Sequence, residues 1–142
     1  MGVYNKLFDT VVENVLTECD IRPCDFQTGQ VFHTDSALWD TGATNTIISS
    51  RVVHQLHLEP FQQAGISGIG GGVNDVNTYL VHVSIPTGDT VTYLEVMESD
   101  FEDYDIIIGM DIIGMGDFCF TNAEGRSLFS YRIPAKEHIE LK

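Results

Sequence analysis

Apolar residues in this chain cluster in short runs rather than in long helical stripes. Residues 37–39, 78–85, 90–97, 105–108, 118–120 and 128–133 are each rich in Val, Ile, Leu, Tyr, Phe or Trp. Runs of this length, bounded by turn residues, predict β-strands. Thr87-Gly88-Asp89 predicts a hairpin turn between two of them, and Asn122-Ala123-Glu124-Gly125 predicts a closing hairpin near the C-terminus. Two short helices interrupt the pattern. Ser49 or Ser50 can cap a helix that buries Val52, Val53 and Leu56 and cannot pass Pro60, and a single helical turn over 111–115 follows Gly109. Residues 3–22 fit two periods: Leu7, Phe8, Val11, Val12, Val15 and Leu16 suit a helical face, whereas Val11, Val15, Cys19 and Ile21 suit a strand. The expected class is mainly β with small helices.

The 142 residues show no internal repeat, low-complexity tract or linker, so a single domain over 1–142 is expected, with its core over about 8–134 and a polar tail over 135–142. Charge narrows the partners. Seven Lys and Arg against 21 Asp and Glu give a net charge of −14, which repels polyanions and excludes nucleic acid. The partners expected are neutral or cationic. No run approaches the roughly 18 apolar residues needed to span a bilayer, and no basic-then-apolar leader is visible, so a cytoplasmic location away from membranes is expected. Cys19, Cys24 and Cys119 fit neither a zinc knuckle nor a redox pair and read as reduced thiols.

Candidate chemistry concentrates in three segments. In 36–49, Ser-Ala-Leu-Trp-Asp-Thr-Gly-Ala-Thr-Asn-Thr-Ile-Ile-Ser, an apolar strand runs into Asp40, a small-residue turn, and apolar residues again. A carboxylate so placed needs hydrogen bonds, a partner charge or a shared proton to offset its desolvation. A turn Asp accepting local amide bonds would satisfy the same requirement. The second segment, Gly65-Ile66-Ser67-Gly68-Ile69-Gly70-Gly71-Gly72-Val73, reads as a hairpin tip ahead of a long strand. The third, Asp105-Ile106-Ile107-Ile108-Gly109-Met110-Asp111, is an apolar strand ending at a glycine where something must pack closely.

Taken in order, Asp40-Thr41-Gly42-Ala43, Gly68-Ile69-Gly70-Gly71 and Ile107-Ile108-Gly109 resemble the motifs of the retropepsin-like aspartic proteases, the single-lobe relatives of pepsin that include retroviral proteases and bacterial counterparts. The resemblance covers about residues 36–133. It implies a closed, β-barrel-like acid-protease lobe with one or two short helices and a glycine-rich flap hairpin. It also implies an aspartic endopeptidase that needs neither metal nor cofactor and works on an extended peptide or protein. Asp40 would be the catalytic carboxylate. Because Asp9-Thr10 and Asp89-Thr90 are followed by Val rather than Gly, the second carboxylate would come from a homodimer mate. Thr41 would hold the two loops across the dimer axis, Gly42 would let backbone and substrate approach, and Ala43, Ile107, Ile108 and Gly109 would support the loop, Ile108 also lining a pocket. Ile66, Gly68, Ile69, Gly70, Gly71 and Val73 would form the flap.

Thr44 and Met110 depart from the viral pattern, which carries an acidic residue and an Arg at those places as an ion pair, so this loop must be braced differently. The long C-terminal hairpin over 116–133, with the N-terminal segment, is expected to build the dimer interface. His54 and His57 lack a third metal ligand, the acidic run Glu98, Asp100, Glu102, Asp103, Asp105 lacks the glycine and terminal Glu of a calcium loop, and the glycine cluster lacks the lysine of a phosphate loop. The alternative function is a non-catalytic dimerisation or peptide-binding module on the same fold.

Overall fold

The computed structural model describes residues 2–25, 29–67 and 73–142, with backbone alone for 63–67 and 73–75. Ten strands are described: β1 Gly2–Leu7, β2 Val15–Pro23, β3 Phe32–Trp39, β4 Ile47–Ser49, β5 Gln62–Ser67, β6 Val73–Ser84, β7 Thr90–Ser99, β8 Ile106–Ile108, β9 Asp117–Thr121 and β10 Leu128–Ile133. Two short helices, α1 Ser50–Gln55 and α2 Met110–Ile113, follow β4 and β8, and a 3-10 turn, Ala123–Gly125, joins β9 to β10. The ambiguous N-terminal stretch is two strands. On β2, Val15, Thr17, Cys19 and Ile21 are all buried, the period-2 alternation of a strand with one face on the core.

The larger sheet runs β2-β3-β8-β4-β7-β6-β5, and β2 also pairs with β6, so six strands close into a barrel with β5 attached outside the ring. Closure sets Ile21 opposite Val83. The β3–β8 pair is parallel, with Trp39 beside Ile108, and β8 then pairs antiparallel with β4, Ile107 opposite Ile47. The barrel is filled by Ile21, Ile48, Val52, Val81, Val83, Val96, Ile106, Ile108 and Ile112, all fully buried. Burying aliphatic side chains of this size contributes about 1.5–3 kcal/mol each.

A second, antiparallel sheet of order β1-β10-β9 packs against the barrel. Trp39 is the joint. Its ring centroid lies 5.0 Å from Phe129 and 4.9 Å from Tyr131, and its Nε1–H donates to Thr17 Oγ1 at 2.9 Å. The Tyr131 hydroxyl donates to the Ile112 carbonyl at 2.6 Å, tying the sheet to α2, and burial raises that phenol to about 12. The first residues of the C-terminal tail are anchored: Asp117 accepts bonds from Arg132 Nε at 2.7 Å and Lys136 N–H at 2.7 Å. The acidic run is fastened too, since Arg51 donates to the Tyr104 carbonyl and Asp105 Oδ1, both at 2.8 Å. No helix among the described residues is long and apolar enough to cross a membrane.

Candidate active site

Asp40 stands one residue past the end of β3, and its own amide donates to the Ile108 carbonyl at 2.9 Å, extending the β3–β8 ladder by one bond. The chain then turns. Ala43 N–H donates to the Asp40 carbonyl at 3.1 Å, and Gly42 N–H donates to Asp40 Oδ1 at 2.8 Å. One carboxylate oxygen is thus fixed by a local amide, and the turn-Asp reading and the reactive-Asp reading describe the same geometry. A Cβ at Gly42 would lie 3.2 Å from Asp40 Oδ1, tighter than ordinary contact, so glycine permits this approach. Asp40 and Ala43 are half-buried, and Thr41 and Gly42 are exposed.

The loop rests on the end of β8. A Cβ on Gly109 would lie 2.7 Å from the carbonyl carbon and oxygen of Asn45 and 2.8 Å from the Ala43 oxygen, all backbone atoms. The close packing read from the sequence is therefore loop against loop. Met110 N–H donates to the Ala43 carbonyl at 2.7 Å and Asp111 N–H to the Thr44 carbonyl at 3.2 Å. Ile106 and Ile108 point into the core and are fully buried, while Ile107 keeps partial exposure, so alternation along β8 leaves Ile107, not Ile108, at the surface.

Sequence reasoning missed the brace. Asp111, in the first turn of α2, accepts Thr46 N–H on Oδ2 at 2.8 Å and the Thr46 hydroxyl on Oδ1 at 2.7 Å, and its Oδ1 also takes Ile112 N–H at 2.9 Å. Thr46 is fully buried, and its Oγ1 in turn accepts Gly109 N–H at 3.2 Å. This clasp joins the Asp40 loop to the β8–α2 corner where an ion pair was absent. The one signal was an Asp two residues past a glycine at a helix start, a position that suits a carboxylate.

Beside Asp40 and Thr41 lies an open depression of about 370 Å³ whose lining includes Glu13, Val15, Leu38, Trp39, Phe118 and Phe120. Elsewhere in the larger sheet, β5 and β6 pair antiparallel with Ser67 opposite Val73. Ile66 and Val73 lie on its two strands, and Gly68, Ile69, Gly70 and Gly71 lie outside the described residues. Away from this region, Glu18, His33 and Asp35 bring their ligand atoms within 4.8 Å of one another, all three exposed. His33 Nδ1 sits 2.6 Å from Asp20 Oδ1, and that hydrogen bond raises the imidazole pKa. His54 and His57 are both exposed.

The chain is similar in structure to a retropepsin-like aspartic protease from Rickettsia conorii, at a TM-score of 0.54 and 11% identity, over 91% of this chain and 92% of that one. It is also similar to the EIAV protease solved in complex with the inhibitor HBY-793, at a TM-score of 0.53 and 20% identity, over 73% of this chain and 88% of that one. At these identities the likeness is one of fold, and the fold is the retropepsin-like lobe expected from the motifs. No curated protein sequence matches this chain. The family described as "gag-polyprotein putative aspartyl protease" matches residues 33–115, more than half the chain and nearly all of the span from β3 through α2, and the chain belongs to that family.

Proposed function

We propose that the protein is an aspartic endopeptidase whose catalytic pair is Asp40 and its symmetry mate in a homodimer. The observation that carries this reading is the setting of Asp40. One oxygen is held by the Gly42 amide, the backbone is locked to Ile108, and the open depression adjoins it. Two carboxylates brought to about 3 Å cannot both ionise, so they hold one proton in common. The ionised member accepts a proton from water as the water attacks the peptide carbonyl, and the protonated member donates to the carbonyl oxygen. The tetrahedral species collapses with proton transfer to the departing amine, and no acyl-enzyme forms.

Thr41, exposed in the loop, would bond across the axis. Gly109 and Ala43 hold the loop from below. The β5–β6 hairpin, with Ile66, Gly68, Ile69, Gly70, Gly71 and Val73, would close over the substrate and add backbone hydrogen bonds to an extended peptide. A net charge of −14 favours neutral or cationic peptides.

Asp40→Asn tests the assignment. Cleavage of an unfolded protein substrate should fall by at least a thousandfold while sedimentation and circular dichroism stay those of the parent. A variant that still cleaves at the parental rate would remove Asp40 from the chemistry.

A further inference from the structure

On the outer face of the barrel, strands β2 and β3 set four titratable side chains side by side. Val15, Thr17, Cys19 and Ile21 of β2 are buried, so alternation turns Glu18 and Asp20 outward. On β3, Phe32 and Thr34 are buried, and His33 and Asp35 are exposed. Pairing brings the two sets together. Asp20 stands opposite His33, and between the Cys19–Thr34 and Thr17–Ala37 pairs the single residue Glu18 faces two, Asp35 and Ser36, which is a bulge in β3. That bulge is pinned from its buried side: Thr34 Oγ1 donates to Asp105 Oδ2 at 2.6 Å and accepts Ser36 N–H at 2.8 Å.

The histidine is already oriented as a ligand. Its Nδ1 lies 2.6 Å from Asp20 Oδ1, and its Nε2 lies 3.5 Å from Asp35 Oδ1. A carboxylate on Nδ1 favours the tautomer with its proton there and directs the Nε2 lone pair toward Asp35, which is how carboxylates orient metal-ligating imidazoles. Glu18, His33 and Asp35 each bring one ligand atom within 4.8 Å of the others. Ligands at about 2.1 Å around a tetrahedral ion stand about 3.4 Å apart, a contraction that exposed side chains reach by small rotamer changes. Charge points the same way. Three carboxylates, Glu18, Asp20 and Asp35, share this patch with the Arg22 guanidinium, which lies 3.8 Å from Asp20 Oδ2. An open pocket of about 310 Å³, its lining including Glu18, Asp20, His33, Ser84 and Thr90, leaves room for water at the remaining coordination positions.

We propose that Glu18, His33 Nε2 and Asp35 bind a divalent transition-metal ion, Zn²⁺ fitting best, and that Asp20 is the positioning residue for His33. One imidazole nitrogen with two carboxylate oxygens and open positions suits Zn²⁺ better than Mg²⁺ or Ca²⁺, which take oxygen ligands. Binding replaces any proton at Nε2 and leaves the Nδ1 proton on its bond to Asp20. The ion ties β2 to β3 far from the active site. Asp35 and Asp40 are five positions apart, roughly 17 Å on an extended strand at about 3.3 Å per residue. The metal therefore acts on the fold, whatever reaction Asp40 performs.

The test is calorimetric titration of the full, untagged chain with ZnCl₂ near neutral pH, read beside nitrogen-15 NMR of the histidine rings. One saturable site is expected, with the His33 Nε2 resonance shifted and the Nδ1 proton retained. His33→Gln, Glu18→Gln and Asp35→Asn should each weaken binding by about tenfold or more with unchanged circular dichroism, and a variant carrying both His54→Gln and His57→Gln should bind as the parent does. Asp20→Ala should weaken binding by about 10–100-fold, and Asp20→Asn, whose side-chain oxygen still accepts the Nδ1 proton, should restore part of it. Free Zn²⁺ at ten times its dissociation constant should raise the ratio of folded to unfolded protein in urea about elevenfold in the parent and leave His33→Gln unchanged. An absence of Zn²⁺ binding, binding that survives His33→Gln, coordination through Nδ1, or displacement of Zn²⁺ by an equal concentration of Mg²⁺ would each overturn the site. Parental affinity in Asp20→Ala would overturn the positioning role.

Discussion

Replacing Asp111 by alanine should show how firmly the Asp40 loop is held from below. The carboxylate accepts three donors at 2.7–2.9 Å: Thr46 N–H, the Thr46 hydroxyl and Ile112 N–H. Thr46 is 0% exposed, so water cannot replace the first two. A buried donor stripped of its acceptor costs about 1–3 kcal/mol, and a helix-start amide that water can reach costs about 0.5–1 kcal/mol. Losses within one network overlap, so the expected destabilisation is about 3 kcal/mol, roughly two powers of ten in the ratio of folded to unfolded protein. Equilibrium unfolding in urea, with the slope checked for constancy, measures it. Thr46→Val provides the second arm, because it removes one of the same bonds from the other side. The double variant should be less destabilised than the sum of the singles by at least about 1 kcal/mol. An Asp111→Ala protein within about 0.5 kcal/mol of its parent, or strict additivity with Thr46→Val, would refute the clasp.

Gly109→Ala places a Cβ at 2.7–2.8 Å from three backbone atoms of the Asp40 loop, none of which can swing aside. It should cost about 1–3 kcal/mol in urea unfolding and reduce peptide cleavage, with a fully stable variant counting against the close approach. Asp117→Asn addresses the acid limb. Backbone donation from Lys136 and the Arg132 guanidinium lower the Asp117 pKa, so its contribution to stability is present above about pH 4 and is lost as pH falls through the depressed folded-state value. The asparagine variant should be less stable than the parent at pH 7, with the gap closing in acid, and residues 135–142 should exchange amide hydrogen faster; a gap independent of pH would dissociate Asp117 from the tail.

What could be read from the chain beforehand followed from whether the constraint is local. Asp-Thr-Gly and Ile-Ile-Gly were legible because each demand falls on neighbouring backbone: Gly42 must let its amide reach Asp40 Oδ1, and Gly109 must leave room for the carbonyls of Ala43 and Asn45. The hairpin from β6 to β7 and the closing one from β9 to β10 were legible for the same reason, their turn residues sitting between the strands they join. The strands of residues 3–22 were not. Val11 and Val12 lie between β1 and β2 rather than on either, and without knowing that break a single period has to be fitted to two strands.

The remaining features depend on partners far apart in the chain, which no periodicity encodes. Ile21 meets Val83 only when the barrel closes, and Thr46 meets Asp111 across 65 residues only after β4 and β8 have paired. The two are linked. Asp40 is placed by the parallel β3–β8 pair, β8 is positioned by β4, and the clasp fastens the loop between β3 and β4 to the turn that leaves β8. An ion pair at positions 44 and 110 would have braced that corner from its surface. The clasp does so from a buried threonine, where a carboxylate–hydroxyl bond is not exchanged for water and is little screened by salt. The loop should therefore hold its geometry over a wide range of ionic strength even in a chain of net charge −14. Salt should act instead on the encounter of the two like-charged copies in the proposed dimer, strengthening it as their repulsion is screened. A dissociation constant for the proposed dimer that rose with added salt would refute this, since attraction between opposite charges would then outweigh the overall repulsion.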